Sequence, residues 1–200
     1  MTTTSSPINS AKLNKLPHQT AWEINLPRIF VKCVAAESEG IEHGAWIDAI
    51  SAKEMQANIT YILRNSPVPN SHQYRFTATQ HFQGLAIKGK KSLPHIAEVG
   101  LGVMNIGKPF ILYYELYDHR EIPNLIKAFT DDYVGVFNAT EDFVKEKLQE
   151  LIDVSISELL QIKHINLQLL IQDWFNSTKS PYRRILDDKQ VYIFENRFRS

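Results

Sequence analysis

The chain is 200 residues long, 44% hydrophobic, and carries 22 basic against 22 acidic side chains. That composition suits one soluble domain, or a few small modules in a row, with enough apolar side chain to build a core. A single cysteine, Cys33, excludes an intrachain disulfide and a four-thiolate zinc site, as expected in a reducing cytoplasm, and the longest apolar stretch, PFILYYELY, is too short to cross a bilayer.

Neutrality here is an average. Residues 1–109 hold 11 Lys or Arg against 7 Asp or Glu, residues 110–160 hold 4 against 11, and residues 161–200 hold 7 against 4, giving +4, −7 and +3. Such asymmetry points to a charged partner without naming it.

The opening MTTTSSPINS lacks a basic start and an apolar run, so no secretory signal is expected, and residues 1–26 read as a flexible tail in which Trp22 and Ile24 are candidate docking side chains. From Arg28 to Ala36 (RIFVKCVAA) a β-rich run follows, then a turn around Gly40 and a short strand over 45–49. Ser51 and Glu54 form a capping box that opens a helix with Met55, Ile59, Ile62 and Leu63 on its apolar face. A strand is expected over 74–82 and a helix from Ser92 with Pro94 in its first turn; two short helices follow over 110–117 and 122–129. Tyr133 to Phe137 reads as a strand, Thr140 as the cap of the next helix, and 165–175 as another helix. Runs 182–186 and 190–194 flank Asp187-Asp188-Lys189 as a hairpin. The chain is therefore α+β.

One stretch concentrates the acid. TDDYVGVFNATEDFVKEKLQELIDVSISE, residues 130–158, carries eight carboxylates and two lysines. Asp142, Glu146, Glu150 and Asp153 are spaced to line one helix face, with Leu148, Leu151, Ile152 and Leu159 on another. Helical rise places such acids about 4.5 to 6 Å apart, against about 3.4 Å between phosphates of one DNA strand, so the helix supplies about half a strand's charge density. Taken alone, the pattern is satisfied by a solvated face with Glu141–Lys145 and Lys147–Glu150 as ordinary intrahelical pairs.

Other motifs stop short of chemistry. GLAIKGKKS, residues 84–92, approaches a phosphate-binding loop, but Lys91 occupies the place of the magnesium-holding hydroxyl and Pro94 interrupts the first helical turn. Seven histidines show no metal-ligand spacing, and Cys33 sits in an apolar strand as a packed thiol. His43 reads as a turn residue, and Tyr113, Tyr114, Tyr117, Trp174 and Phe175, candidates for a recognition surface, are at helical spacing more often core. No catalytic, metal-binding or cofactor-binding residue is indicated.

Read in order, PRIFVKCVAAESEGIEHGAWIDA (27–49), FQGLAIKGKKSL (82–93), YDHREIPNLIKAFTDDYVGVFNATEDFVKEKLQEL (117–151) and DWFNS through VYIFENRF resemble the ArdA-type antirestriction proteins, over roughly residues 27–198. The resemblance implies an elongated protein of three modules, with an α+β module at 27–88, a helical one at 89–130 and an α+β one at 131–200 that forms a homodimer. It also implies a non-catalytic role that needs no cofactor. Such a protein occupies the DNA groove of type I restriction–modification enzymes, at their methyltransferase core, by presenting carboxylates in place of phosphates, without binding DNA itself. Carried onto this chain, the candidate phosphate substitutes are Asp131, Asp132, Glu141, Asp142, Glu146, Glu150, Asp153 and Glu158, with Glu115, Asp118 and Glu121 just upstream.

The chain departs from that family's acidity. Ala78-Thr79-Gln80-His81-Phe82 stands where the family tends to read DYEGF, Lys88-Gly89-Lys90-Lys91-Ser92 where it tends to read GEYES, and Val136 where a Glu often follows the glycine. Each lysine facing a DNA-binding cleft costs about 1 to 4 kcal/mol per close pair. The alternative is a non-catalytic module on the same fold that meets nucleic acid or an acidic protein through Lys88, Lys90 and Lys91, with Arg183, Arg184, Arg197 and Arg199.

Overall fold

A computed structural model describes residues 25–87, 91–117, 122–151, 166–176 and 179–196. Trp22, Ile24, Lys88, Lys90, Asp118, Glu121, Asp153, Glu158, Arg197 and Arg199, on which several expectations fall, lie outside the described residues. Among the described residues are seven helices and two antiparallel sheets of three strands, an α+β chain divided into two compact units after Ile126.

Alternation builds the first sheet. In β1 (Arg28–Cys33), Ile29, Val31 and Cys33 are buried while Arg28, Phe30 and Lys32 are half-exposed. β1 is the centre of the order β2-β1-β3, with β2 (Gly44–Asp48) and β3 (Tyr74–Gln80) both antiparallel to it. On the open face Phe30 and Trp46 meet edge to face at 5.4 Å, and Arg28 pairs with Asp48 at 2.8 Å. Gly44 is required opposite Lys32 because a Cβ there would lie 2.4 Å from the Val31 carbonyl oxygen.

The β-rich run ends earlier than its side chains suggest. After Cys33 the chain turns into α1 (Val34–Ser38), where Ala35, Ala36 and Glu37 are good helix formers, and Gly40 at φ +71° ends the turn. β3 likewise stops at Gln80 rather than Phe82, because His81, Gln83 and Gly84 all take positive φ. Glu37 accepts from Lys32 at 3.0 Å and from Arg75, tying α1 to β1 and β3. The bonds from Lys32 and Arg75 hold its carboxyl below the ordinary carboxylate value. A depressed folded pKa gives stability that is full above the unfolded value and lost as pH falls through the folded one. Glu37→Gln is therefore expected to lower the melting temperature at neutral pH and to match the parent in acid, which paired thermal melts would check.

α2 (Ala52–Arg64) buries Met55, Asn58, Ile59 and Ile62 and packs against β1 and β2. The Ser51 hydroxyl accepts from the Glu54 amide at 3.4 Å, as the capping pattern predicts. His43, expected in a turn, is buried and its Nε2 donates to the Ile62 carbonyl at 2.7 Å, locking β2 to the helix. α3 (Leu93–Asn105) and α4 (Lys108–Tyr117) form a hairpin whose turn uses Gly107 at φ +75°, and Tyr113, Tyr114 and Tyr117 are buried in it.

Two helical glycines explain how closely α3 approaches its neighbours. A Cβ on Gly100 would fall 1.9 Å from the Ala49 carbonyl oxygen, and one on Gly102 would fall 2.2 Å from the Phe110 ring. A backbone oxygen cannot step aside, so Gly100→Ala is expected to destabilise by about 1–2 kcal/mol, overpacking outweighing a helix-propensity gain of about 1 kcal/mol. A lower urea midpoint at unchanged slope would show it.

α5 (Leu125–Asp132) starts at Leu125, three residues later than the sequence pattern suggests, because Pro123 and Asn124 (φ +52°) form a turn. Its first amide donates to Glu98 Oε2 at 2.8 Å. In the second unit β6 (Gln190–Glu195) lies between β4 (Tyr133–Phe137) and β5 (Tyr182–Asp187). α6 (Thr140–Leu151) and α7 (Leu167–Phe175) pack together, and Phe143, Val144, Ile171, Phe175, Val191 and Ile193 form the core. Phe143 is its hub, meeting Phe137, Trp174, Phe175 and Tyr182 edge to face at 4.9–6.1 Å. Phe194, on the other face of β6, packs with Phe129 and Tyr133.

Candidate functional site

The acidic segment is a two-faced helix. Phe143 and Val144 are buried, whereas Asp142, Glu146 and Glu150 are exposed and Glu141 is half-exposed. The buried Phe143 and Val144 fix which way α6 turns, and Asp142, Glu146 and Glu150, each four residues from the next, share its exposed strip.

Several of these carboxylates have local work. Asp142 Oδ2 accepts from the Ala139 amide at 3.1 Å, making Asp142 a cap of the first turn, where the helix dipole also favours it. Thr140, expected to be that cap, is instead the first helical residue and is buried; its hydroxyl accepts from Arg184 Nη1 at 3.0 Å. Glu141 Oε1 accepts from Gln168 Nε2 of α7 at 3.4 Å. Lys147 pairs with Glu150 at 2.5 Å, and that bond raises its pKa, keeping the ammonium charged beside the carboxylate. Lys127 pairs with Asp131 at 2.5 Å.

Asp132 needs correction. It is 1% exposed, so it cannot stand outward in place of a phosphate; α5 directs neighbouring Asp131 to solvent and Asp132 inward. Arg184 is likewise anchored, its guanidinium 5.3 Å from the Phe175 ring centroid while it donates to Thr140, and so is not a loose surface cation. Glu115 is exposed on α4 of the first unit. Lys91 is half-exposed just before the α3 cap, where the Ser92 hydroxyl accepts from the His95 amide at 3.4 Å.

The second unit also exposes acids that sequence reasoning passed over, Asp173 on α7 and Asp188 at the β5–β6 turn. Asp188 was hidden behind its turn chemistry and Asp173 by the positive total of its segment. Cys33 is buried at the start of α1; burial pushes its thiol pKa up, but the Ala36 amide and the Ser66 and Ser71 hydroxyls outweigh this and leave it lowered. Among the described residues no group of three His, Cys, Asp or Glu comes together to hold a metal, and no helix is long and apolar enough to cross a membrane.

The family model described as antirestriction protein (ArdA) matches residues 29–182, most of the chain. The chain belongs to the ArdA antirestriction family. Members of this family are inhibitors of restriction–modification enzymes rather than enzymes themselves. No curated protein and no solved structure matches the chain. In this ArdA protein the acidic helix lies inside the matched span, as do α7 and both of the described lysine pairs around the acids.

Proposed function

We propose that this ArdA protein acts as a DNA mimic, placing the exposed carboxylates of α6 in the DNA-binding groove of a type I restriction–modification enzyme, and that it does so as a homodimer joined through its second unit. One observation carries this: Asp142, Glu146 and Glu150 stand exposed on a helix that Phe143 and Val144 hold in the core. A basic groove shaped to neutralise phosphates attracts any rigid surface with matching charge, and binding releases counterions as DNA does. The working set is Glu141, Asp142, Glu146 and Glu150, with Asp131 and Glu115 as further exposed acids; Asp153, Glu158, Asp118 and Glu121 belong to the same proposal. The purified protein is expected to displace duplex from a type I methyltransferase core, less effectively as salt rises. Failure to compete at low salt would overturn the proposal.

One observation favours a second reading, an interaction module that has given up mimicry. The Lys127–Asp131 and Lys147–Glu150 pairs offset two of the acids locally. Such a module would itself shift duplex on a gel, and Lys88, Lys90 and Lys91 to Ala would reduce the shift; a mimic leaves duplex unshifted.

A further inference from the structure

The second sheet is ordered β4-β6-β5, so among the described residues β5 has an open edge. Its partners in β6 are Gln190 for Asp187, Tyr192 for Ile185 and Phe194 for Arg183, across a turn at Asp188 and Lys189. In a hairpin with a turn of this length the pair closing the turn exchanges both backbone hydrogen bonds, and the exchange recurs at alternate residues. Arg183, Ile185 and Asp187 therefore direct their backbone groups to β6, whereas Tyr182, Arg184 and Leu186 direct theirs to the open edge. On that edge Leu186 is 71% exposed, the most exposed large apolar side chain among the described residues. An unpaired edge beside an exposed leucine is a template for another strand.

We propose that the occupant is a second copy of this chain, paired antiparallel through β5 about a two-fold axis at Ile185, so that two sheets of three strands become one of six. This rests on the homodimer part of the reading above and names its seam. Charge selects the register. With the axis at Ile185, Arg183 faces Asp187 of the second copy on both sides of the axis, Ile185 faces itself, and the outward backbone groups of Arg184 and Leu186 meet in hydrogen-bonding register. An axis at Arg184 would set that arginine against its own copy. An axis at Leu186 would set Arg183 against Lys189, cancelling the attraction it gives between Arg184 and Asp188. Both alternatives place like charges directly opposite, which destabilises a strand pair. The interface is isologous, as a closed two-fold dimer requires.

The experiment is light scattering of the full chain over a concentration series, with circular dichroism confirming that each variant is folded. The parent is expected at twice the monomer mass. Arg183→Asp and Asp187→Arg, each alone, should raise the dimer dissociation constant at least about tenfold, because two attractive pairs become two repulsive ones. An equimolar mixture of the two single variants should regain the dimer mass, since in the mixed dimer the two aspartates of one copy meet the two arginines of the other, and the double variant should regain it too. A parent that is monomeric throughout would overturn both this inference and the homodimer reading. A dimeric parent that neither single variant weakens would overturn the β5 seam alone, as would loss of the dimer with no recovery in the folded mixture or double variant.

Discussion

Replacing Glu141, Glu146 and Glu150 together with lysine is expected to weaken binding to a type I methyltransferase core by about a thousandfold. Each close charge pair is worth about 1 kcal/mol in water, and reversal converts attraction to repulsion, so three reversals amount to about 6 kcal/mol before screening. A Debye length of about 8 Å at physiological salt leaves about 4 kcal/mol of this, a thousandfold in affinity. The glutamine triple variant should lose about half as much on a logarithmic scale. Glu146 and Glu150 are exposed and Glu141 is half-exposed, so losing the Gln168 bond and the Lys147 pair should lower the melting temperature only slightly. Asp142 stays in place because it caps the helix at Ala139, and its loss would mix a stability effect with a binding one. Duplex competition as potent as the parent's, by a folded lysine variant, would sink the mimic.

Phe143→Ala is expected to produce the largest loss of stability. Phe143 is 0% exposed and touches aromatic rings from β4, α7 and β5, so its removal leaves a cavity that no single neighbour can fill. Phe to Ala in such cores costs about 3–5 kcal/mol, a large part of the total of about 5–15 kcal/mol typical of a domain. The second unit should therefore populate unfolded chain at moderate denaturant while the first unit keeps its own transition, seen as two separated steps in a urea melt. Phe143→Leu, which refills most of the cavity, should recover much of the loss. A single transition at the parent's midpoint would show that the aromatic cluster is not the keystone of this unit.

Much of this was legible in the sequence where periodicity and caps agree. Ser51 and Glu54, Ser92 with Pro94, and the 182–194 hairpin all signal locally, and the structure places elements on each. The early end of β1 was not legible, since Val34, Ala35 and Ala36 are apolar enough for a strand and only the tertiary path through Gly40 makes them helical. Nor was the work of His43, which depends on the Ile62 carbonyl 19 residues away. For the site, spacing along α6 foretold that its acids share a face. Whether an acid at an element boundary looks out or in was not foretold: Asp131 and Asp132 are adjacent and alike in sequence, yet the turn from α5 into β4 buries one of them. The offsetting partners Lys127 and Lys147 were partly visible, Lys147–Glu150 as an intrahelical pair and Lys127 only once α5 was seen to run on to Asp132.

The two sheets differ in which strand sits in the middle, and this bears on how the protein is made. In the first unit the central strand is β1, the earliest to leave the ribosome, so later strands can add to a template already present. In the second the central strand is β6, and β4 and β5 flank it without adjoining each other. No pairing in that sheet can begin until residues 190–195 have emerged, so until then the acidic helix has α7 but no paired sheet to pack on.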